Sequence, residues 1–290
     1  MKYLIAVADL ASFTRAAAEL HVSQPALSQQ IRQLEAALGV RLLDRSSKGK
    51  GVKPTDAGRV YIAYAQRALR ELDAARRAAR DVEGLAGGVL RLGFLPLFTI
   101  NLVGPLVQAF HAQHPSVAIS VEIQSQAAME DALVSDRVDV GVGFSDVKSD
   151  EIAVSPFREE ELCLVVGKGH PAFGREHMDV RELEGVDLAL LNATFVTRPP
   201  VDLYLRTNLV RPRIAVECNS VDSLVAIVRG GRLATVLPQS STRNIADLSA
   251  VRMRPQIGLR MTSALLRDGA YRSAAIKAFV QLMADWDWSA

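Results

Sequence analysis

Cysteine is scarce in this 290-residue chain: Cys163 and Cys218 are the only two, and they stand far apart. That excludes a disulfide scaffold and fits a reducing cytoplasm. Each lies in an apolar, strand-like run, which reads as two buried structural thiols rather than a redox pair. No apolar stretch approaches the length of a membrane span and no signal-peptide pattern precedes the first helix, so no membrane partner is expected. Internal repeats and low-complexity tracts are lacking too. So is the chemistry of catalysis: there is no Walker loop, dinucleotide glycine fingerprint or nucleophile elbow. His111 and His114 have helical i, i+3 spacing, but no nearby carboxylate or thiol completes a metal site, and they read as surface residues at a helix end. His170-Pro171 reads as a turn, and Gly141-Val142-Gly143 as a strand that lets its neighbours approach closely. These absences argue against an enzyme, a metal or a cofactor.

What is present is ordinary in bulk. Apolar residues make up 49% and charged residues 23%, so the length suggests two or three globular domains, each with its own core. The net charge of +2 is unevenly spread. Residues 1–60 hold nine Lys/Arg against five acids, leaving the remainder slightly acidic.

The distinctive stretch is residues 12–45, SFTRAAAELHVSQPALSQQIRQLEAALGVRLLDR. A short helix is expected from about Thr14 to Leu20, entered through Ser12 or Phe13. Its alanines, Ala16 to Ala18, keep the surface thin for a second helix, against which Phe13, Ala17 and Leu20 should pack. His21-Val22 makes the turn, Ser23 is a natural N-cap, and Pro25 fits the first helical turn. Ala26, Leu27, Ile31, Leu34 and Leu38 predict a buried stripe, and Gly39 the stop. Two helices in this order form a helix-turn-helix, which places its second helix in the major groove of DNA.

The opposite face of that second helix carries Gln24, Ser28, Gln29, Arg32 and Gln33. Gln pairs bidentately with adenine, Ser serves either base partner, and Pro25 can meet a thymine methyl. A solvated polar face would look the same in isolation; the turn, the Ala-rich partner and the basic flank decide for DNA. The candidate contacts are Thr14, Ser23, Gln24, Pro25, Ser28, Gln29 and Arg32. Arg45, Lys48, Lys50 and Lys53 join them as phosphate contacts, the lysines from a two-stranded wing between the apolar segments 40–43 and Val52.

These residues resemble the LysR-type transcriptional regulators. The resemblance is carried by Ser12-Phe13, Ala16-Ala17, Leu20, the run from Val22 to Ser28, Ile31, Leu34-Glu35, Leu38-Gly39, Leu42, Arg45 and Thr55-Asp56-Ala57-Gly58. It continues at lower density along the whole chain. Within the family it is strongest to the cyanate-operon regulator branch, through VSQPALSQQIRQLE, TDAG, Gly104-Pro105-Leu106 and Asn219-Ser220. Two departures stand out. The first helix is expected to be about one turn short, and the segment from Arg45 to Thr55 about two residues longer than the usual wing, with Pro54 where Leu is typical.

Residues 56–85 form one long helical stretch without internal proline. Ala65, Ala68, Leu72, Ala75, Ala79 and Val82 recur with a heptad-like spacing, while Arg67, Arg70, Arg76, Arg77 and Arg80 lie on other faces. We read this as an interchain coiled coil, which would set two reading helices about one helical turn apart on DNA. Gly84, Gly87 and Gly88 then make a hinge.

Beyond the hinge, strand-like runs at 89–94, 118–123, 138–144, 162–167, 187–191, 214–217, 233–237 and 262–266 alternate with helical segments at 101–114, 127–136, 201–209, 220–229 and 273–286. That alternation predicts α/β subdomains with mostly parallel sheets. The resemblance implies a two-lobed, periplasmic-binding-protein-like body joined by two crossing strands. The expected organisation is an all-α winged helix-turn-helix at 1–58, a linker helix and hinge at 59–88, and an effector-binding domain at 89–290. Lobe I would take 89–157 and 263–290, and lobe II 158–262.

Open α/β sheets bind ligands at strand C-terminal ends, beside helix N-termini. Four junctions carry suitable residues: Pro96, Phe98 and Thr99; Ser125 and Gln126; Asn192, Thr194, Phe195, Thr197 and Arg198; and Asn219 with Ser220. Phe144, closing the third strand, completes the set. Any one of Thr99, Ser125 or Ser220 could simply cap a helix, but together they suggest a site for a small anion, to which Arg198 would add a formal charge. The resemblance places the effector cleft at these same segments. It also implies cytoplasmic homodimers or homotetramers on double-stranded promoter DNA, a small-molecule effector and contact with RNA polymerase. A small-anion-binding protein with nonspecific DNA affinity, or an enzyme acting on a small anion, are the competing readings.

Overall fold

The computed structural model describes residues 1–44, 51–82, 88–243 and 245–288, with the side chains of Arg77 and residues 80–82 left aside. The chain divides into two compact units, Met1–Ala79 and Arg80–Ala290.

The first unit begins with α1 (Lys2–Leu10), α2 (Phe13–Glu19) and α3 (Gln24–Leu38). Ser12 caps α2 by accepting from the Arg15 amide, and Ser23 caps α3 by accepting from the Ala26 amide. Pro25 lies in the first turn of α3, and Gly39 ends that helix at φ +68°, a left-handed conformation glycine adopts without strain. Leu4, Val7, Ala16, Ala17, Leu27 and Ile31 close the core between the three helices, with Phe13, Leu20 and Leu34 packed at its margin. Two members of the expected stripe are not buried: Ala26 and Leu38 are exposed. Ala26 lies about 100° around the helix from Leu27. Leu38 is on the stripe but in the last turn, where it lines a groove with Val40, Val60 and Tyr64.

The wing strands are β1 (Leu43–Asp44) and β2 (Lys53–Pro54), antiparallel with Leu43 opposite Pro54 and Asp44 opposite Lys53. Glu35 ties α3 to this strand pair, its Oε1 accepting from the amides of Leu42 (2.8 Å) and Leu43 (3.1 Å). Thr55 Oγ1 donates to the Arg41 carbonyl at 2.7 Å and accepts from the Gly58 amide at 2.9 Å. That bond starts α4 (Asp56–Val82) so close to the preceding chain that a Cβ on Gly58 would stand 1.9 Å from the Leu42 carbonyl. The TDAG run is therefore a joint between wing and long helix.

The second unit is built on β3 (Val89–Phe94), α5 (Val103–Gln113), β4 (Ala118–Ile123), α6 (Gln126–Val134), β5 (Val140–Phe144), β6 (Ile152–Gly167), β7 (His177–Asp179), β8 (Asp187–Leu191), α7 (Arg198–Thr207), β9 (Arg213–Cys218), α8 (Val221–Arg229), β10 (Ala234–Pro238), β11 (Leu248–Arg254), β12 (Leu259–Arg267) and α9 (Ala274–Ala284). The main strand order is β4-β3-β5-β12-β6-β10-β8-β9. Parallel pairing holds within β4-β3-β5 and within β10-β8-β9, and antiparallel β12 and β6 join the two halves. This is a two-lobed α/β body with two crossing strands. The first part of β6 pairs with β12 and its second part with β10 and β11.

Most strand expectations stand, and two elements were hidden: β7 and β11, which pair with each other, while β11 also pairs with β6. The strand expected at 162–167 begins ten residues earlier, because Pro156 and three consecutive glutamates disguise a strand that the crossing geometry nevertheless demands. Of the two cysteines, Cys163 is buried as expected but Cys218 is only half-buried. Gly141 and Gly143 do admit a close neighbour: a Cβ on Gly143 would lie 2.6 Å from Met129 Cε of α6.

Candidate nucleic-acid interface and effector cleft

The face of α3 opposite Leu27 and Ile31 is open to solvent. Gln24, Pro25, Gln29 and Arg32 are exposed and Ser28 is half-exposed. Their spacing puts them on one side of the helix. Thr14, on α2, is exposed as well, and Ser23 is engaged through its cap yet keeps its hydroxyl proton free to donate elsewhere. Lys53 is exposed at the start of β2. Arg45, Lys48 and Lys50 lie outside the described residues.

Along α4, the expected seam is mostly open surface. Ala65 is buried, whereas Ala68, Leu72, Ala75 and Ala79 are exposed. Val60 (60%), Tyr64 (66%) and Leu72 (57%) add large apolar groups to that surface.

In the second unit, the effector candidates fall into two groups at strand C-terminal ends. In the first, Phe98 meets Phe144 edge-to-face at 5.8 Å. Gln126 is 5% exposed and holds the Phe144 backbone with both halves of its amide. Thr99 donates to the Pro96 carbonyl at 2.7 Å, and Ser125 caps α6 by accepting from the Ala128 amide. In the second group, Asn192 Oδ1 accepts from both the amide and hydroxyl of Thr194. The Asn192 amide donates to the Cys218 carbonyl at 2.9 Å, setting Asn192 beside Asn219 and Ser220. Ser220 caps α8, Phe195 packs at the edge of the main core and Thr197 is buried.

Arg198 is placed differently from expectation. Its Nε donates to Asp202 at 2.8 Å, and its Nη1 donates to the Leu191 carbonyl at 2.8 Å and to Glu217 at 2.7 Å. Burial opposes its charge, yet these carboxylates hold its pKa above the ordinary value. The guanidinium thus fastens α7 to β8 and β9.

A cation the sequence did not single out stands beside the first group. Arg260 of β12 lies 5.0 Å from the centre of the Phe144 ring and pairs with Asp146 at 2.6 Å. Its Nε is buried and, among the described residues, has no hydrogen-bond partner. The only local hint was an arginine opening a strand-like run; its aromatic partner is remote in sequence. Among the described residues, no group of three or more His, Cys, Asp or Glu is arranged to hold a metal ion, and no helix is long and apolar enough to cross a membrane.

Two family models match the chain. Residues 1–59 match the bacterial regulatory helix-turn-helix protein of the lysR family, and residues 83–288 the LysR substrate binding domain. The nitrogen assimilation regulatory protein nac of Escherichia coli (strain K12) is 30% identical over 246 residues, covering 84% of this chain and 79% of nac. Among solved structures, full-length CbnR in complex with its target DNA aligns at TM-score 0.55 and 25% identity, covering 98% of this chain and 97% of CbnR. A full-length OxyR variant from Pseudomonas aeruginosa, with one cysteine replaced by aspartate, shares the fold at TM-score 0.69 and 22% identity, covering 98% of this chain and 96% of that one. With a reading head at its start, a two-lobed α/β body behind it and both family models matched, the chain belongs to the LysR family of DNA-binding transcriptional regulators.

Proposed function

We propose that the protein reads a promoter as a paired reader whose spacing is set by a small anionic effector. The single observation that carries this reading is the division of α3: Leu27 and Ile31 are buried while Gln24, Pro25, Gln29 and Arg32 are exposed on the opposite side. Gln24, Pro25, Ser28 and Gln29 act as base readers. Thr14, Ser23 and Arg32, with Lys53 and the remaining wing cations Arg45, Lys48 and Lys50, position the phosphate backbone. The CbnR structure was solved with its target DNA, which supports the same use of the head here.

Pairing is through α4, whose exposed Ala68, Leu72, Ala75 and Ala79 supply a seam of small and apolar groups. Dimers, or tetramers built from them, would present two heads to two half-sites. We take 1–58, 59–88 and 89–290 as head, linker and body, with lobe I at 89–157 and 263–290 and lobe II at 158–262. The effector sits between Phe98, Phe144 and Thr99 on one side and Asn192, Thr194, Asn219 and Ser220 on the other. Arg260, rather than the doubly paired Arg198, supplies its counter-charge. A ligand that binds one lobe arrangement better shifts the population of that arrangement, and with it the relation between heads and the contact with RNA polymerase. This reading places the protein in the cytoplasm.

Footprinting of the full chain on DNA upstream of its own gene, with and without small anions, tests the reading. Two protected half-sites whose pattern changes with an anion are expected. Salt-sensitive binding without a protected sequence would contradict it.

A further inference from the structure

The body contains a second polar cavity, of about 40 Å³, where the C-terminal segment meets the crossing strands. Phe98, Asn101, Arg158, Glu160, Arg243 and Trp288 line it. Arg158 of β6 and Arg243, in the turn after β10, both donate through Nη1 to one acceptor, the backbone carbonyl of Trp288. Glu160 is 3% exposed and lies 3.6 Å from Arg158. Across the strand pair, Glu160 is opposite Arg260 and Arg158 is opposite Thr262, so these four share a sheet face. The Thr262 hydroxyl is fully buried and has no partner among the described residues. Burial and the neighbouring Arg158 lower the Arg243 pKa.

Two guanidinium groups on a neutral carbonyl are an unusual use of charge in a buried place, because a charged acceptor would make the stronger bonds. The segment that supplies the carbonyl also brings Asp287 and the indoles of Trp286 and Trp288. If it withdraws, two arginines remain with one buried carboxylate, a surplus of one positive charge, beside the Phe98 ring. We propose that this cavity is a binding site for an aromatic monocarboxylate, held closed by the chain's own C-terminal segment, which the ligand displaces. The ligand's carboxylate takes the two N–H donors now spent on the Trp288 carbonyl, and its ring takes the place of the indoles.

The site lies where the lobes meet. Asn101, beyond β3, donates to the Ser240 carbonyl beyond β10 across the cavity wall, and Arg158 belongs to a crossing strand. Filling the site therefore biases the lobes independently of the cleft ligand, and the inference does not rest on what fills the cleft.

Trp286 and Trp288 are the only tryptophans in the chain, so tryptophan emission reports on this segment alone. The test titrates the full chain, without DNA, with phenylacetate and separately with uncharged 2-phenylethanol, following emission, acrylamide quenching and heat of binding. Phenylacetate should saturate, red-shift the emission and increase quenching, while 2-phenylethanol should bind at least tenfold more weakly. Arg158→Gln and Arg243→Gln, checked for folding by circular dichroism, should each weaken phenylacetate at least tenfold. Trp288→Phe removes the indole hydrogen bond to the Met283 carbonyl that anchors the segment (3.3 Å), and should tighten binding several-fold, as Trp286 reports. Arg260→Gln separates this site from the cleft and should leave the tryptophan response intact. No heat and unmoved emission with folded protein, or equal binding of the uncharged alcohol, would overturn the proposal.

Discussion

Gln126 grips the backbone of Phe144 with both ends of its amide: Nε2 donates to the carbonyl at 2.9 Å and Oε1 accepts from the amide at 3.2 Å. The contact joins the start of α6 to the end of β5 and fixes the ring that faces Phe98 and Arg260. Gln126 is therefore a positioning residue. Gln126→Ala leaves a buried N–H and a buried C=O unpaired and should cost on the order of 2–4 kcal/mol. Urea denaturation of the full chain should show a lowered midpoint for the body, with DNA affinity of the remaining folded protein unchanged in the absence of effector.

Gly58 makes a comparable joint in the reading head. A Cβ there would stand 1.9 Å from the Leu42 carbonyl, and backbone cannot yield as a flexible side chain would. Gly58→Ala should destabilise the head by about 3 kcal/mol or more and abolish DNA binding at temperatures where wild type still binds. Thermal melting should show the early loss of the head while the body's transition stays in place.

The exposed seam of α4 predicts an oligomer that a single charge can break. Leu72→Asp places a carboxylate in the middle of Ala68, Ala75 and Ala79 and should turn the dimer into a monomer at micromolar concentration, as analytical ultracentrifugation would record. A conservative Leu72→Met should leave the assembly intact.

His170 gives the body a pH response. It is 7% exposed, its Nδ1 accepts from the Ala172 amide at 3.1 Å, and burial lowers its pKa. Protonation is thus disfavoured in the folded state, and the unfolded chain binds more protons as pH falls through about 6.5. His170's contribution to stability is present above that pH and lost below it. Urea midpoints should fall between pH 7.5 and 5.5, and His170→Asn, whose side-chain oxygen can keep the bond without titrating, should flatten that fall.

Legibility in the sequence followed the range of each interaction. Strands Val89–Phe94, Ala118–Ile123 and Asp187–Leu191 were readable to the residue because their apolar runs end at polar junctions. The helix-turn-helix was equally readable, since Ser12, Ser23, Pro25 and Gly39 mark its ends locally. The first ten residues of β6 were not, because Pro156 and Glu159 to Glu161 contradict strand propensity and only pairing with β12 explains them. Arg198 drew a ligand role because Glu217, one of its carboxylates, is remote in sequence. Arg158, Arg243 and Arg260 were missed for the same reason: their partners come from distant segments. Leu38 obeyed the helical period but lies past the end of the surface that would have covered it.

The central claim is that α3 reads bases. Selection of bound sequences from a random DNA pool by the full chain, repeated with Gln29→Ala, tests it most directly. Wild type should enrich two related half-sites about one helical turn apart, and Gln29→Ala should lose discrimination at one base position of each, by about 1–3 kcal/mol, while keeping its salt dependence. No enriched sequence, or the same sequence enriched equally by Gln29→Ala and by Gln24→Ala, would contradict it.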